Sequence, residues 1–400
     1  MTTAANAAHG EDRRLTGKLR VAVLNRIFAP TGGGAERYSI ALVEQLAERH
    51  EMHVFAQQIE HHWPGVTYHT VPTLLRKPRW LNQLWFAAWT WWVTRRGFDI
   101  VHSHENTWHG NVQTVHVLPV KHNLFKNRHG LAWVSRWLKV VTSPRLIVYL
   151  LLERHRFAAE PLRQIVVTSK SLGDVMEATY PGCAAALSVV TPGFDLPPRF
   201  ATWDRIASQR RARERFGLPL PSSCLLLVAN DFRKKGLTTL LETLAKLPRH
   251  HVLVVVGNPA HIAEFQAQIS RLQLTTRVFF LGQLPDVGDA YLAADYLVHP
   301  TLEDTFAMAV LEAMAFGLPV LVSGAGFCGI AGLLQHQVNA WLLDDPRDAD
   351  SLMHAIQTLD ANAALRQTLS DNAMRFATGY QWKDIAQRQQ TVYLAAAGLS

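Results

Sequence analysis

Two rhythms of apolar and polar positions follow one another along this chain, and their order occurs twice. Leu19–Asn25 (LRVAVLN) reads as a buried strand, a loop covers residues 26–35, and Glu36–Arg49 carries Ile40, Val43 and Leu46–Ala47 at helical spacing. Met52–Ala56 is a second strand, so strand, loop, helix, strand opens a parallel, doubly wound sheet. After the charged stretch Arg199–Arg215 the pattern restarts at Ser223–Val228 and continues through Val252–Val256, Val278–Leu281 and Tyr296–Val298. Helical stretches at 264–272, 284–294, 348–359, 363–377 and 381–394 alternate with or follow these strands. Four hundred residues are enough for two α/β domains with separate cores. The expected division is a loose tail at 1–17, a first domain at 18–198, a second at 199–380 and a last helix from 381.

Within the second half, residues 299–324 (HPTLEDTFAMAVLEAMAFGLPVLVSG) read as loop, helix, turn and strand. Asp304 and Thr305 are suited to cap a helix beginning near Phe306, and Gly317 with Pro319 ends it. The amides of Thr305, Phe306, Ala307 and Met308 would then leave a helix N-terminus, which suits an anion such as a diphosphate. Glu312 falls among apolar helix neighbours, and a buried carboxylate needs a donor. Sugar or ribose hydroxyls would serve, as would a partner inside the protein.

This segment resembles the acidic-x7-Glu signature of glycosyltransferase family 4, through Pro300, Phe306, Glu312, Ala313, Met314, Ala315, Gly317, Leu318, Pro319 and Val320. The resemblance implies a GT-B fold, two doubly wound Rossmann-like domains facing a central cleft, with the last helix crossing back to the first domain. It departs from the family where Asp304 replaces a Glu and where Thr305 and Ala307 replace two glycines. A shorter carboxylate at 304 reaches less far toward a donor sugar, and side chains at 305 and 307 narrow the approach to phosphates.

Three further stretches carry the likeness. Gly33 and Gly34, in the turn 31–37 (TGGGAER), match the family's N-terminal donor-contact loop. His116 stands in the strand Gln113–Val117 and is similar to the family's Thr-x-His strand, whose His faces the anomeric centre. Residues 230–236 (NDFRKKG) resemble a loop of lipopolysaccharide core glucosyltransferases; Lys235 matches its Lys, Lys234 its Arg, and Arg233 could substitute. Cations at such a loop suit a diphosphate leaving group. The resemblance thus implies a retaining, metal-independent hexosyltransferase with no cofactor beyond its nucleotide-sugar donor. UDP-glucose and a phosphorylated glycolipid acceptor are the first expectation. GDP-mannose or UDP-N-acetylglucosamine is an alternative donor, and a catalytically inactive GT-B interaction protein is an alternative of another class. His116, Asp304 and Glu312 are the expected catalytic positions: His116 near the reacting carbon, Asp304 on sugar hydroxyls, Glu312 on the ribose.

Charge sharpens the picture. The formal net charge is +8, and residues 1–199 hold 23 Lys/Arg against 14 Asp/Glu while residues 200–400 hold 17 against 18. The first half therefore expects an anionic partner, and with no recognition motif for nucleic acid a glycolipid and an anionic membrane are favoured. Trp80–Arg96 contains five tryptophans, with a polar strip of Asn82, Gln83, Thr90 and Thr94, between the basic residues Arg76, Lys77, Arg79, Arg95 and Arg96. It expects either burial through Leu81, Leu84, Ala88 and Trp92, with Phe86 and Trp89 facing away, or an interfacial membrane helix. Lys121–Arg156 is basic with Glu153 its one acid. His102, His104, Glu105 and His109 lack a closed zinc spacing, and substrate contact is the other reading. Asp348-Ala349-Asp350 reads as a helix cap rather than a metal pair. Three scattered cysteines suit a reducing cytoplasm, residues 1–17 lack a signal peptide's apolar core, and no run of about 18 apolar residues occurs. The expectation is a cytoplasmic protein, peripheral on the inner face of the membrane.

Overall fold

The structure is a computed structural model that describes residues 18–30, 33–75, 77–200 and 204–399. The tail 1–17, Gly32 of the glycine turn and Arg76 lie outside the described residues. The chain divides into two compact units, one running to Thr191 and taking in the segment from Trp382 onward, the other being Pro192–Gln381.

The first unit is built on β1 (Arg20–Leu24), β2 (Ile27–Phe28), β3 (Glu51–Ala56), β4 (Gln58–Ile59), β5 (Val66–Thr70), β6 (Ile100–Ser103), β7 (Val112–Val115), β8 (Gln164–Val167) and β9 (Leu187–Val189). Seven of these form a sheet in the order β5-β3-β1-β6-β7-β8-β9, with parallel pairing throughout, while β2 and β4 pair separately. Its helices are α1 (Gly34–Leu46), α2 (Arg79–Thr94), α3 (Val120–Phe125), α4 (Leu131–Val141), α5 (Pro144–Arg156) and α6 (Lys170–Thr179). The C-terminal helix Trp382–Ala396 packs on α1, β7 and β8.

The second unit has a six-stranded parallel sheet: β10 (Ser223–Val228), β11 (His251–Val256), β12 (Val278–Gly282), β13 (Tyr296–His299), β14 (Val320–Ser323) and β15 (Trp341–Leu343). The order is β12-β11-β10-β13-β14-β15. Its helices are α7 (Arg205–Arg215), α8 (Leu237–Lys246), α9 (Gln266–Arg271), α10 (Gly288–Ala293), α11 (Met308–Ala315), α12 (Ala349–Ala361) and α13 (Ala363–Ala377). Asp348 caps α12, accepting from the amides of Asp350 and Ser351. In both sheets the strand order reverses beside the first strand, between β1 and β6 and between β10 and β13. Open α/β sheets bind ligands beyond the carboxyl ends of their strands at such points.

Three expectations need correction. The unit boundary falls at 191/192, seven residues before the expected one. The Phe194 amide donates to the Tyr380 carbonyl at 2.8 Å, and the rings of Phe194 and Phe200 pack against Phe316, tilted and edge-on respectively, so the turn 192–200 belongs to the second core. The tryptophan-rich helix faces the other way from the expected burial. Gln83, Phe86, Ala87, Thr90 and Thr94 are buried, whereas Ala88, Trp91 and Trp92 are exposed. The polar strip turns inward at little cost because each group finds a partner. Thr90 and Thr94 donate to carbonyls one turn back, at 2.7 Å each, and Gln83 donates to the Asn106 carbonyl. The basic segment 121–156, finally, is not only a solvated face. Glu153 is buried and accepts from the amides of Val120 and Lys121 and from the Tyr180 hydroxyl. Arg156 is buried too, donating to Gln113 Oε1 at 2.9 Å and to the Thr114 carbonyl at 2.6 Å.

Candidate active site

In the second unit the loops after β10 and β13 meet. Gly236 ends the first loop with φ +79°, and a Cβ there would lie 2.0 Å from the Pro300 carbonyl oxygen, so only glycine fits. The carbonyl of Lys234 accepts from the Leu302 amide and the Thr301 hydroxyl, which ties the two loops together. Three cations are thereby presented. Arg233 and Lys234 are exposed and pair with Glu264 and Glu303, at 3.1 and 2.9 Å. Lys235 is largely buried and points inward, its Nζ donating to Asp304 Oδ2 at 2.5 Å and to the Glu303 carbonyl at 3.0 Å.

Asp304 is the hub of this arrangement. Its Oδ1 accepts from the amides of Phe306 and Ala307, at 3.2 and 2.8 Å, and its Oδ2 takes Lys235 and the His299 ring. Burial opposes its ionisation, but the hydrogen bond from His299 and the charge of Lys235 outweigh that, so its carboxyl titrates far below the usual range. His299, buried beside it, has its pKa lowered by desolvation, against the pull of Asp304.

This corrects two expectations. α11 begins at Met308, two residues later than expected, because Asp304 folds a turn over residues 304–307 instead of capping the helix. Two of the four amides expected to meet an external anion, those of Phe306 and Ala307, already serve the internal carboxylate of Asp304. The Phe306 side chain lies in the core, and Ala307 precedes α11 in the left-handed region, φ +75°. The family glycine that Ala307 replaces would suit that conformation; an alanine there is strained by about 1 kcal/mol. Thr305 sits between these groups, and Met308 opens the helix. Glu312, one helical stretch on, is buried, and its Oε2 accepts from the Tyr291 hydroxyl of α10 at 2.8 Å. Tyr291 and His299 were not singled out in the sequence. His299 opens the motif segment, and Tyr291 carries no local signal.

The first unit holds the remaining candidates at the carboxyl ends of β1, β6 and β7. Gly33 precedes α1 and Gly34 is its first residue. His116 lies just beyond β7 rather than within it. Its Nε2 is 2.9 Å from His104 Nδ1, the two rings are stacked, and the Tyr38 ring meets His116 edge-on. Behind them His102 is held between the hydroxyls of Thr114 and Tyr393, at 2.6 and 2.7 Å. Burial first, and then the charge of Arg156, holds His116 down to about 3; for His102, also about 3, burial and its His116 neighbour act before Arg156. His104 is likewise held well down by burial. All three rings are therefore neutral at physiological pH, suited to exchange hydrogen bonds and not to supply charge. The charge nearby comes from Arg26 paired with Glu105 at 2.9 Å, and from Glu36, whose carboxyl is raised by burial and by Glu105. Glu36 also belongs to the Gly-Gly-x-Glu-Arg match, which could have marked it. His104 and His116 meet as the sequence could not show, and His109 stands apart from them with both ring nitrogens buried and unbonded. Among the described residues, neither the histidines of 102–109 nor Asp348 and Asp350 form a metal-ligand group.

Comparisons with known proteins bear on the family and the fold. The model of the family described as Glycosyltransferase Family 4 matches residues 32–197, and that of Glycosyl transferases group 1 matches residues 208–376. The chain is 26% identical to the lipopolysaccharide glucosyltransferase WaaG of Escherichia coli (strain K12) over 234 residues, which is 57% of this chain and 61% of that protein. It thus spans about three fifths of the length of that curated relative. A crystal structure of WaaG, a glycosyltransferase involved in lipopolysaccharide biosynthesis, superposes with a TM-score of 0.79 at 21% identity, over 93% of this chain and 99% of that one. The Anabaena protein Alr3699/HepE in complex with UDP-glucose superposes with a TM-score of 0.72 at 20% identity, over 93% and 98%. The two parallel sheets are those of the GT-B fold, each half answers to its own glycosyltransferase family model, and the chain belongs to the group 1 and family 4 glycosyltransferases.

Proposed function

We propose that this chain transfers a hexose, glucose from UDP-glucose in the first instance, with retention of anomeric configuration and without a metal ion, to a phosphorylated glycolipid such as a lipopolysaccharide core. The observation that carries the reading is the meeting of the Lys234–Lys235 loop with the Asp304–Glu312 segment at the reversal point of the second sheet. A departing nucleoside diphosphate gathers negative charge. Lys234, Lys235 and Arg233 are the cations placed to meet it, with the Met308 end of α11 beside them. Glu312 holds the donor ribose. Neutral His116 offers a hydrogen bond near the reacting carbon, with Gly33 and Gly34 lining the donor diphosphate. The test is turnover of a panel of sugar nucleotides with and without chelator. UDP-glucose turnover that survives chelator is the expected result. Preference for GDP-mannose or UDP-N-acetylglucosamine would change the donor, and turnover of none would leave the inactive interaction protein.

The first unit further supports peripheral contact with an anionic membrane on the cytoplasmic side. α4 shows a stripe of Leu131, Val134, Leu138 and Val141, with Leu131 88% and Leu138 65% exposed, and only Val140 buried. Phe125, Trp133 and Trp137 cluster on α3 and α4, and Lys126, Arg128, Arg136, Lys139 and Arg145 accompany them without an acid between 121 and 152. Trp91 and Trp92 of α2 are exposed as well. Apolar helix faces with flanking cations suit an anionic interface. No helix among the described residues is long and apolar enough to cross a membrane.

A further inference from the structure

At the opposite end of the second sheet, where its strands begin, His250, His251 and Asp360 come together with all their ligand atoms within 4.8 Å of one another. His251 is buried at the start of β11, His250 is exposed in the turn before it, and Asp360 lies near the end of α12. The hydrogen-bonding around His251 is short of one hydrogen. Its Nδ1 faces the Pro248 carbonyl at 3.2 Å, and its Nε2 faces Asp360 Oδ2 at 2.8 Å. Both partners are acceptors only, so a neutral imidazole satisfies one of them and leaves a lone pair against an oxygen. A cation between Nε2 and Oδ2, either a second proton or a metal ion, resolves the contact.

We propose that His250, His251 and Asp360 are ligands of a transition-metal ion of the zinc class. Two imidazoles and one carboxylate match the donors that Zn2+ and its neighbours take, whereas Ca2+ and Mg2+ require oxygen. The outer contacts are those of a built site. The Pro248 carbonyl fixes the proton on Nδ1 and so turns the Nε2 lone pair toward the metal position. The Tyr296 hydroxyl donates to Asp360 Oδ1 at 2.8 Å, leaving Oδ2 for the ion. The nearby cations donate instead to backbone carbonyls, Arg366 to those of Leu359 and Asp360 and Arg277 to those of Leu247, Pro248 and His251. The His250 ring lies 4.2 Å from that of His251, centre to centre, and its exposure lets it swing in as third ligand, with water completing the shell. The ion would clip the turn before β11 to the end of α12. That place is a full strand length, roughly 15 Å, from the Lys235–Asp304 loops, so the ion takes no part in transfer.

The test is titration of the full chain with Zn2+ against a chromophoric chelator, and with Co2+ read by its visible absorption. One equivalent is expected to bind with nitrogen-type Co2+ bands. His250→Ala, an exposed position that leaves the fold intact, should remove that equivalent. Tyr296→Phe keeps all three ligands but frees Asp360, and should weaken binding about tenfold. Absence of a stoichiometric site overturns the proposal, and so does a site that binds with wild-type affinity in His250→Ala, since the ion then sits on other histidines.

Discussion

The two sheets share a topology and differ in what fills them. In the second unit β10, β11 and β14 (SCLLLV, HVLVVV, VLVS) are almost wholly apolar, and the ionic groups of the site stand beyond the strands, Lys234, Lys235 and Asp304 on loops and Glu312 on α11. In the first unit β6 and β7 (IVHS, VQTV) carry His102, Gln113 and Thr114 into the interior, and Arg156 is buried against them. The second unit keeps stability and chemistry apart, so its loops change without disturbing the core. The first unit merges them, because the ring that positions His104 and His116 is itself core. Changes at the second site should therefore alter function at nearly constant stability, and changes at the first should alter both.

The largest effect should follow Glu312→Ala. Loss of the ribose contact is expected to lower kcat/KM by about a hundredfold or more, on the scale of losing one well-placed polar contact to the transition state. Thermal unfolding should move little, since the variant takes from the Tyr291 hydroxyl one hydrogen bond, at about 1 kcal/mol. Wild-type kinetics would remove Glu312 from the site; lost activity with a collapsed fold would remove the contrast between the units.

The sharpest break of the comparison lies in Arg156. Arg156→Leu leaves Gln113 Oε1 and the Thr114 carbonyl unpaired in the interior, at about 3 kcal/mol. Hydrogen exchange should rise across residues 100–116 and stay low across β10 and β11. Acid should expose the same difference. His102, His104 and His116 are held neutral in the folded state, with pKa values lowered from an ordinary 6.5, so the unfolded chain binds more protons. Stability of the first unit is full above about pH 6.5 and falls as pH drops from there toward 3. The depressed carboxyl of Asp304 contributes stability that is present above its ordinary pKa of about 3.9 and is lost only below it. His299 acts in the same direction in the second unit, but it is one histidine against these three, so the first unit should loosen first on acidification. Tryptophan fluorescence reads this directly, because ten of the 12 tryptophans belong to that unit. Simultaneous loss of both units, or earlier loss of the second, would contradict the reading.

The same contrast explains what the sequence shows. Unbroken apolar runs announce their strands, so the second sheet is legible nearly residue by residue. In the first sheet β5 (VTYHT) is missed because an edge strand is half-exposed and carries no continuous apolar signal. α2 is read the wrong way round because a helical wheel counts threonine as outward. Hydroxyls bonded to their own helix lose that preference. In the site, the motif residues at 304 and 312 and the cations at 233–235 stand out by type and spacing. What does not stand out is who answers them. Whether Lys235 faces solvent or Asp304 depends on two loops far apart in sequence, and the left-handed turn at Ala307 is hidden because alanine, unlike glycine, does not advertise it.

Asp304→Asn should have an intermediate effect that separates positioning from contact. The change keeps an oxygen for the amides of Phe306 and Ala307 but removes the charge opposite Lys235. If Asp304 acts by holding Lys235, the variant should bind a nucleoside diphosphate at least as tightly, because Lys235 is freed for it, while kcat falls about tenfold. If Asp304 touches the sugar, KM for the nucleotide sugar should rise and binding of the diphosphate alone stay unchanged. Isothermal titration with the diphosphate, beside steady-state kinetics, decides between them.

The smallest effects per residue are expected at the surface of the first unit. Each exposed apolar side chain of α4 that enters an interface gains at most about 1.5–3 kcal/mol, and each nearby Lys or Arg about 1 kcal/mol on an anionic surface, less as salt rises. The full chain should therefore bind vesicles containing anionic lipid and not neutral ones, with binding weakened but not abolished by high salt. Trp91→Ser with Trp92→Ser, and separately Leu138→Ser, should each weaken binding severalfold without lowering thermal stability, because these side chains project from the fold. Phe86→Ser is the control with the opposite signature. Phe86 is wholly buried, so its loss should cost about 3–5 kcal/mol of stability and leave the binding of the folded fraction unchanged. Wild-type vesicle binding by both surface variants would show that the exposed apolar stripe meets something other than a membrane.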